Sequence, residues 1–280
     1  MSKNCDFVHK IGLSSFAFSL NEETFKKLSQ SGVGAVEISV GLEKSMALNY
    51  KEIAELSKNF GVELWSFHLP FMPFEAIDIS AIDSTPRNNA IELFSTLIGK
   101  ASDIGIDKFV IHPSGEPIDD EIREERFKYS MQSLDILARI ADKNGAVIAV
   151  ENLPRTCLGN SADEMLRLIS VNEKLRVCFD TNHLLKDNHT DFIKKLGDKI
   201  VTLHVSDYDF IDERHWLPGY GKIDWCELYS ALKTAEYSGV WMYEARHSAP
   251  PFAGGRALDF NDFVNNANEI FNGKKPTRIL

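Results

Sequence analysis

Two hydrophobic periodicities alternate along the chain. Short runs that are apolar on both faces recur at residues 11–17, 34–40, 63–68, 108–112, 147–151, 176–180, 200–205 and 240–244. Between them, apolar residues recur at three-to-four spacing. The clearest case is 123–143, where Phe127, Met131, Leu134, Leu137, Ala138 and Ala141 form one stripe. Strands apolar on both faces that alternate with amphipathic helices predict a parallel sheet. Eight such units predict an α/β fold, a single (β/α)8 barrel. An open doubly wound sheet is the competitor, and the lack of a glycine-rich phosphate loop after the first strand counts against it.

Punctuation supports the layout. Gly32, Gly61, Gly105, Gly145 and Gly239, with Gly197 slightly earlier, stand where helices pass into strands. Glycine is favoured there because it adopts the left-handed conformation cheaply. Thr85-Pro86 predicts a helix with Pro at its first position, and Ser161-Ala162-Asp163-Glu164 reads as a capping box. The longest irregular piece, 69–85, is expected to lie over the active face. No linker or low-complexity tract interrupts the pattern, so residues 1–280 are expected to form a single domain.

The ends of the runs carry the candidate chemistry. They read Trp65-Ser66-Phe67-His68, Val110-Ile111-His112, Ala149-Val150-Glu151, Cys178-Phe179-Asp180-Thr181-Asn182-His183, Val201-Thr202-Leu203-His204 and Met242-Tyr243-Glu244. Burying a charge without a partner is costly, so strand ends rich in acids and imidazoles imply a shared positive partner, most simply a metal ion. In a parallel barrel all these ends open on one face. Glu151, Asp180, His204 and Glu244 end strands five to eight. Three carboxylates and one imidazole favour Mn2+, Mg2+ or Co2+, with Zn2+ also admissible. Such an ion can hold a sugar's adjacent hydroxyl and carbonyl oxygens and stabilise an enediolate.

Other candidates surround this set. His68 and His112 would reach the cavity from its far side. His183 can be a second-site ligand or contact substrate, and Glu213 and His215 belong to a Pro- and Gly-rich loop pinned over the site. Arg155 and Arg246 are candidates for an anionic substrate group or for rim salt bridges. Glu37 is either functional or a structural ion pair, and Ser14 or Ser15 is a weaker candidate. Trp65, Phe67, Phe71 and Trp216 are either an apolar wall around a sugar or simply core.

Composition narrows the partners. Formal net charge is −10, which leaves no electrostatic footprint for nucleic acid, so none is expected as a partner. No stretch reaches the roughly 18 apolar residues of a membrane span, and residues 1–10 lack an apolar signal region. Cys5, Cys157, Cys178 and Cys226 have no CxxC spacing and are expected as free thiols in a reducing, cytoplasmic setting. Homo-oligomerisation is compatible with the sequence.

Several motifs, in order, resemble the xylose isomerase-like TIM barrel superfamily, which includes sugar-phosphate isomerases/epimerases, ketose 3-epimerases, inosose dehydratases and endonuclease IV (AP endonuclease family 2). They are Val150-Glu151-Asn152, Phe179-Asp180-Thr181-Asn182-His183, Leu203-His204-Val205-Ser206-Asp207, Pro218-Gly219-Tyr220-Gly221-Lys222-Ile223-Asp224-Trp225 and Tyr243-Glu244. Resemblance to ketose 3-epimerases implies Glu151, Asp180, His204 and Glu244 as metal ligands. It also implies Glu151 and Glu244 as the base and acid, and His183 as a substrate contact. Cys157 stands where that pattern has a glutamate, and His215 where it has an arginine. Resemblance to endonuclease IV implies nine zinc-ligand positions, His68, His112, Glu151, Asp180, His183, His204, Glu213, His215 and Glu244, with Glu213 in place of an aspartate.

The expected function is therefore a divalent-metal-dependent isomerase or epimerase of a small sugar, working by proton abstraction α to a carbonyl. A ketosugar lyase on the same site, a multi-zinc abasic-site nuclease and a non-catalytic sugar-binding barrel are the alternatives. The acidic balance argues against the nuclease.

Overall fold

A computed structural model describes residues 9–279. Eight parallel strands follow the apolar runs: β1 Ile11–Ser14, β2 Ala35–Ser39, β3 Glu63–His68, β4 Lys108–Ile111, β5 Val147–Glu151, β6 Arg176–Asp180, β7 Ile200–His204 and β8 Trp241–Tyr243. They pair in the order β7-β6-β5-β4-β3-β2-β1-β8. The remaining seam closes through a parallel bridge between Val205 and Tyr243, with Val205 N–H donating to Met242 O at 2.8 Å. The result is a nearly closed (β/α)8 barrel.

The helices between them are α1 Glu22–Ser31, α2 Leu42–Ala47, α3 Tyr50–Phe60, α4 Ser84–Ser102, α5 Asp120–Lys143, α6 Ala162–Ile169, α7 His189–Leu196, α8 Trp225–Thr234 and α9 Phe260–Phe271. The main core is the shell where their apolar stripes meet the outer strand faces; Phe127, Leu134, Leu137, Ala138 and Ala141 of α5 are all buried there. Inside the barrel, Met242 fills the space over Gly12. A Cβ at Gly12 would lie 2.6 Å from Val240 Cγ1 and 2.7 Å from Met242 Cε, so this position has no room for a side chain.

Several local expectations are corrected. β1 stops at Ser14 because residues 15–17 turn into a 3-10 segment, whose Ser15 hydroxyl accepts the Ser39 N–H at 2.9 Å. Pro86 is the third residue of α4, since Asp83 takes the cap by accepting from Thr85 N. Proline is tolerated there because first-turn N–H groups have no intrahelical partner. Gly32, Gly61, Gly105 and Gly145 are left-handed, but Gly197 and Gly239 are not; Glu236, φ 56°, makes the turn before β8. Of the two readings open for Trp65 and Phe67, sugar wall or core, the structure gives core. Trp65 packs on Ala35, Val240 and Met242, under the Lys108 ammonium, and Phe67 is fully buried in the main core.

Cys157, Cys178 and Cys226 are free thiols, while Cys5 and most of the 1–10 segment lie outside the described residues. Among the described residues no helix is long and apolar enough to cross a membrane.

Candidate metal centre and active-site chamber

The C-terminal strand ends open into a chamber of about 450 Å³. Glu151 of β5, Asp180 of β6, His204 of β7 and Glu244, just past β8, each aim one ligand atom to within 4.8 Å of the others. His204 Nδ1 lies 3.0 Å from Glu151 Oε1, 3.2 Å from Glu244 Oε2 and 3.9 Å from Asp180 Oδ2. Asp180 Oδ2 is buried with no hydrogen-bond partner, while its Oδ1 accepts the Asn182 N–H at 2.6 Å. A dry carboxylate oxygen of that kind is costly unless a cation takes it. The donor set suits a divalent ion.

The outer hydrogen bonds say the same. His204 Nε2–H donates to Glu37 at 3.1 Å, and Glu37 in turn accepts the Ser66 hydroxyl at 2.8 Å. Nε2 faces Glu37, and Nδ1 faces Glu151 and Glu244. Carboxylates only accept, so without a cation the ring carries both protons. A cation among the acids would displace the Nδ1 proton while Glu37 keeps the one on Nε2. Glu37, left undecided by the sequence, is thus the group that orients His204. Three further imidazoles repeat the arrangement. His68 donates Nδ1–H to Leu69 O at 2.9 Å, His183 to Asn152 O at 3.0 Å and His215 to Glu244 O at 3.1 Å. Each therefore aims its Nε2 lone pair at a carboxylate: His68 at Glu151 Oε2, 3.1 Å; His183 at Glu213 Oε2, 3.1 Å; His215 at the same Glu213 oxygen, 3.9 Å. Two facing acceptors need a proton or a metal between them, and anchoring one ring nitrogen while freeing the other is the usual support of a ligating histidine.

Without a metal, protons fill these gaps. Burial pulls the His68 imidazole down, but Glu151, Glu37 and Glu244 outweigh it and push the group up to about 9. His183 is likewise pulled down by burial, yet Asp180, Glu213 and Glu151 raise it to about 10. Burial raises Asp180, with Glu151 and Glu244 adding to it, whereas His204 holds Glu244 low against its own burial. His112 is lowered by burial although its Nε2 lies 3.2 Å from Glu151 Oε2.

His68, His112, His183, Glu213 and His215 line the same chamber, and two of the groups they form are themselves compatible with a cation: His68-Glu151-His204 and His183-Glu213-His215. Phe71 covers His112 in a stacked pair 4.2 Å apart, so the 69–83 loop does overlie the site. Trp216 packs edge-on against Phe252 instead. Arg155 also lines the chamber, but its guanidinium is taken by three acids: Nε meets Glu116 at 3.0 Å, Nη1 meets Asp212 at 2.7 Å and Nη2 meets Glu213 at 2.9 Å.

Sequence reasoning missed the residues that set the loops. Asn182 Oδ1 accepts from Arg214 N at 2.9 Å and His215 N at 3.2 Å, which fixes the strained His215 backbone, φ 53°. Asn152 exchanges hydrogen bonds with the Asp180 backbone. Asp207 accepts from Gly219 N, Ile223 N and Trp225 Nε1, pinning the Pro- and Gly-rich loop. The available signal was their place inside the strand-end motifs.

Comparison with known proteins agrees with this architecture. A family model described as xylose isomerase-like TIM barrel matches residues 25–260. An uncharacterized protein of Methanocaldococcus jannaschii is 26% identical over 250 residues, covering 85% of this chain and 84% of that protein. D-psicose 3-epimerase of Enterocloster bolteae is 23% identical over 232 residues, covering 78% and 74%. The crystal structure of a D-tagatose 3-epimerase-like protein superposes with a TM-score of 0.77 at 23% identity, covering 94% of this chain and 98% of that one. With most of its length matched, and with the barrel and strand-end residues in place, the chain belongs to the xylose isomerase-like TIM barrel family.

Proposed function

We propose that the protein is a divalent-metal-dependent isomerase or epimerase of a small sugar or sugar derivative. The observation that carries this reading is the convergence of Glu151, Asp180, His204 and Glu244 beneath a chamber of sugar-accommodating size, with Asp180 Oδ2 buried and without a hydrogen bond. A divalent cation held by these four residues would polarise a carbonyl oxygen and stabilise the negative charge that develops when the adjacent carbon loses a proton. The remaining work falls to side chains of this chain. Glu151 and Glu244 come from different strands and meet at His204 Nδ1. One removes the proton α to the carbonyl, and the other returns a proton to the opposite face or the neighbouring carbon. When His68 carries a proton on both nitrogens, its Nε2–H donates to the second oxygen of Glu151, so the base approaches substrate in one orientation. The likeness to D-psicose 3-epimerase supports the same chemistry.

The test is solvent exchange. With Mn2+ and a panel of ketoses and inososes in D2O, the wild-type protein should place deuterium next to the carbonyl of its substrate. Glu151→Gln and Glu244→Gln should each lose about 10²–10⁴-fold of that rate. Undiminished exchange in either variant removes the assigned roles, and a product lighter by water or an aglycone would reassign the same site to a lyase.

One observation favours a second reading. The additional groups His68-Glu151-His204 and His183-Glu213-His215 suit a site with more than one metal, as in a multi-zinc abasic-site nuclease. The net charge of −10 opposes a nucleic-acid substrate, which places this reading second. Metal content per chain, together with nicking of an abasic duplex, separates the two. Free thiols at Cys157, Cys178 and Cys226 support a reducing, cytoplasmic setting.

A further inference from the structure

Two arginines line the main chamber, Arg155 and Arg246. The first is committed, since its guanidinium meets Glu116, Asp212 and Glu213. Arg214, on the neighbouring loop, is paired as well, with its Nε 2.9 Å from Asp209. Arg246 differs from both. Among the described residues no carboxylate lies within ion-pair distance of it, and its one side-chain hydrogen bond runs from Nε to Arg214 O at 3.1 Å. Nη1 and Nη2 are left over.

A solvated arginine on a rim needs no acid, but such a side chain usually sweeps through many rotamers. Arg246 is held. Its backbone N–H donates to His215 O at 2.7 Å and its Nε–H to Arg214 O, so both ends of the side chain are tied to the loop that carries Glu213 and His215. With Nε occupied, the edge formed by Nη1 and Nη2 is the part still able to donate. Holding that edge before a ligand arrives lowers the entropy lost on binding. Its direction follows from the local chain. Ala245 is buried in the core, and the residues on either side of it, Glu244 and Arg246, both line the chamber. Glu244 is the more buried of the two and Arg246 is exposed, so the acid lies deep and the cation at the mouth.

We propose that Arg246 is the specificity-determining residue of the chamber. It takes a carboxylate at the outer end of a sugar acid whose carbonyl end lies over Glu151, Asp180, His204 and Glu244. A planar guanidinium edge matches a planar carboxylate with two parallel hydrogen bonds. Charge favours the same group. One free cation balances one carboxylate, whereas a phosphate would bring about two negative charges at pH 7 into a chamber lined by Glu116, Glu151, Glu213 and Glu244. This proposal rests on the chamber being a sugar site and adds the charge of the substrate, which that reading leaves open.

D-Fructuronate, D-fructose and D-fructose 6-phosphate differ only at C6, which bears a carboxylate, a hydroxyl or a phosphate. Their binding to the Mn2+-loaded protein is measured by calorimetry, independently of turnover. Fructuronate should bind the wild type about tenfold more tightly than either of the others, as a hydrogen-bonded charge pair allows. Arg246→Gln should abolish that preference, and Arg246→Lys, which keeps the charge but loses the fork, should retain only part of it. Lys44→Gln, which removes a cation from a neighbouring cavity, should keep it in full. Equal binding of the three probes, no binding of any, or a preference for the phosphate overturns the proposal. So does a preference that survives Arg246→Gln, since the carboxylate would then be on the metal. Loss of D2O exchange with every ketosugar, fructuronate included, alongside an intact Arg246-dependent preference, would instead remove the isomerase reading and leave the carboxylate site standing.

Discussion

His204 shows what one residue can and cannot disclose. Its place at a strand end was legible, because an imidazole closing an apolar run is costly without a partner. Its tautomer was not, because Glu37 comes from a strand 167 positions away. Glu37→Gln can present its amide to His204 the wrong way round, releasing the ring from its fixed tautomer. Mn2+ affinity should fall by about 10–100-fold, the usual effect of losing such support, while the circular dichroism spectrum is unchanged. Titration of the metal into the variant decides this, and wild-type affinity would show that Glu37 is a structural ion pair after all. Asp180→Asn probes the ligand set directly. It keeps the shape and the Oδ1 contact with Asn182 N–H but removes the charge, and metal retention after dialysis should drop below that of Glu37→Gln.

Elements were read more securely than the loops between them. The eight strands were legible because each is apolar on both faces, a pattern only a sheet covered on both sides requires. Helix starts shifted by a few residues, since Asp83 outcompeted the Thr85-Pro86 signal for the α4 cap and α5 begins at Asp120. The clasp around Arg155 was illegible. Its partners Glu116, Asp212 and Glu213 lie 39, 57 and 58 residues away on two other loops, and only closure of the barrel brings them together. Arg155 is a third exposed and has a left-handed φ of 53°, so it ties three loops at some backbone cost. Arg155→Met should leave three carboxylates facing one another. A loss of about 1 kcal/mol in urea unfolding is expected, discounted for solvent screening, with the difference from wild type shrinking in 1 M NaCl. A variant as stable as wild type at low salt would mean that the clasp contributes nothing measurable.

At the scale of the whole molecule, two sets of histidines pull stability in opposite directions with pH. Burial keeps His189 and His247 neutral and lowers each to about 4. As pH falls from 6.5 toward 4 the unfolded chain takes up protons that these two refuse, so stability is lost across that window. His68 and His183 behave oppositely in the metal-free protein. Raised to about 9 and about 10, they stabilise the fold fully below pH 6.5, and that contribution is lost as pH rises through those values. At 1.36 kcal/mol per unit each such group is worth on the order of 3–5 kcal/mol. The metal-free protein should thus be most stable near pH 6.5 in EDTA, with both flanks visible in urea midpoints. Replacing His247, which packs among Phe18, Phe260 and Phe263, by Phe should roughly halve the acid flank, leaving the His189 share, and leave the alkaline flank unchanged. Saturating Mn2+ should flatten the alkaline flank alone, because a cation held by Glu151, Asp180, His204 and Glu244 would neutralise the carboxylates that raise His68 and His183. An alkaline flank that persists unchanged with Mn2+ would mean that these imidazoles do not face a metal, whatever their distances to Glu151 and Glu213.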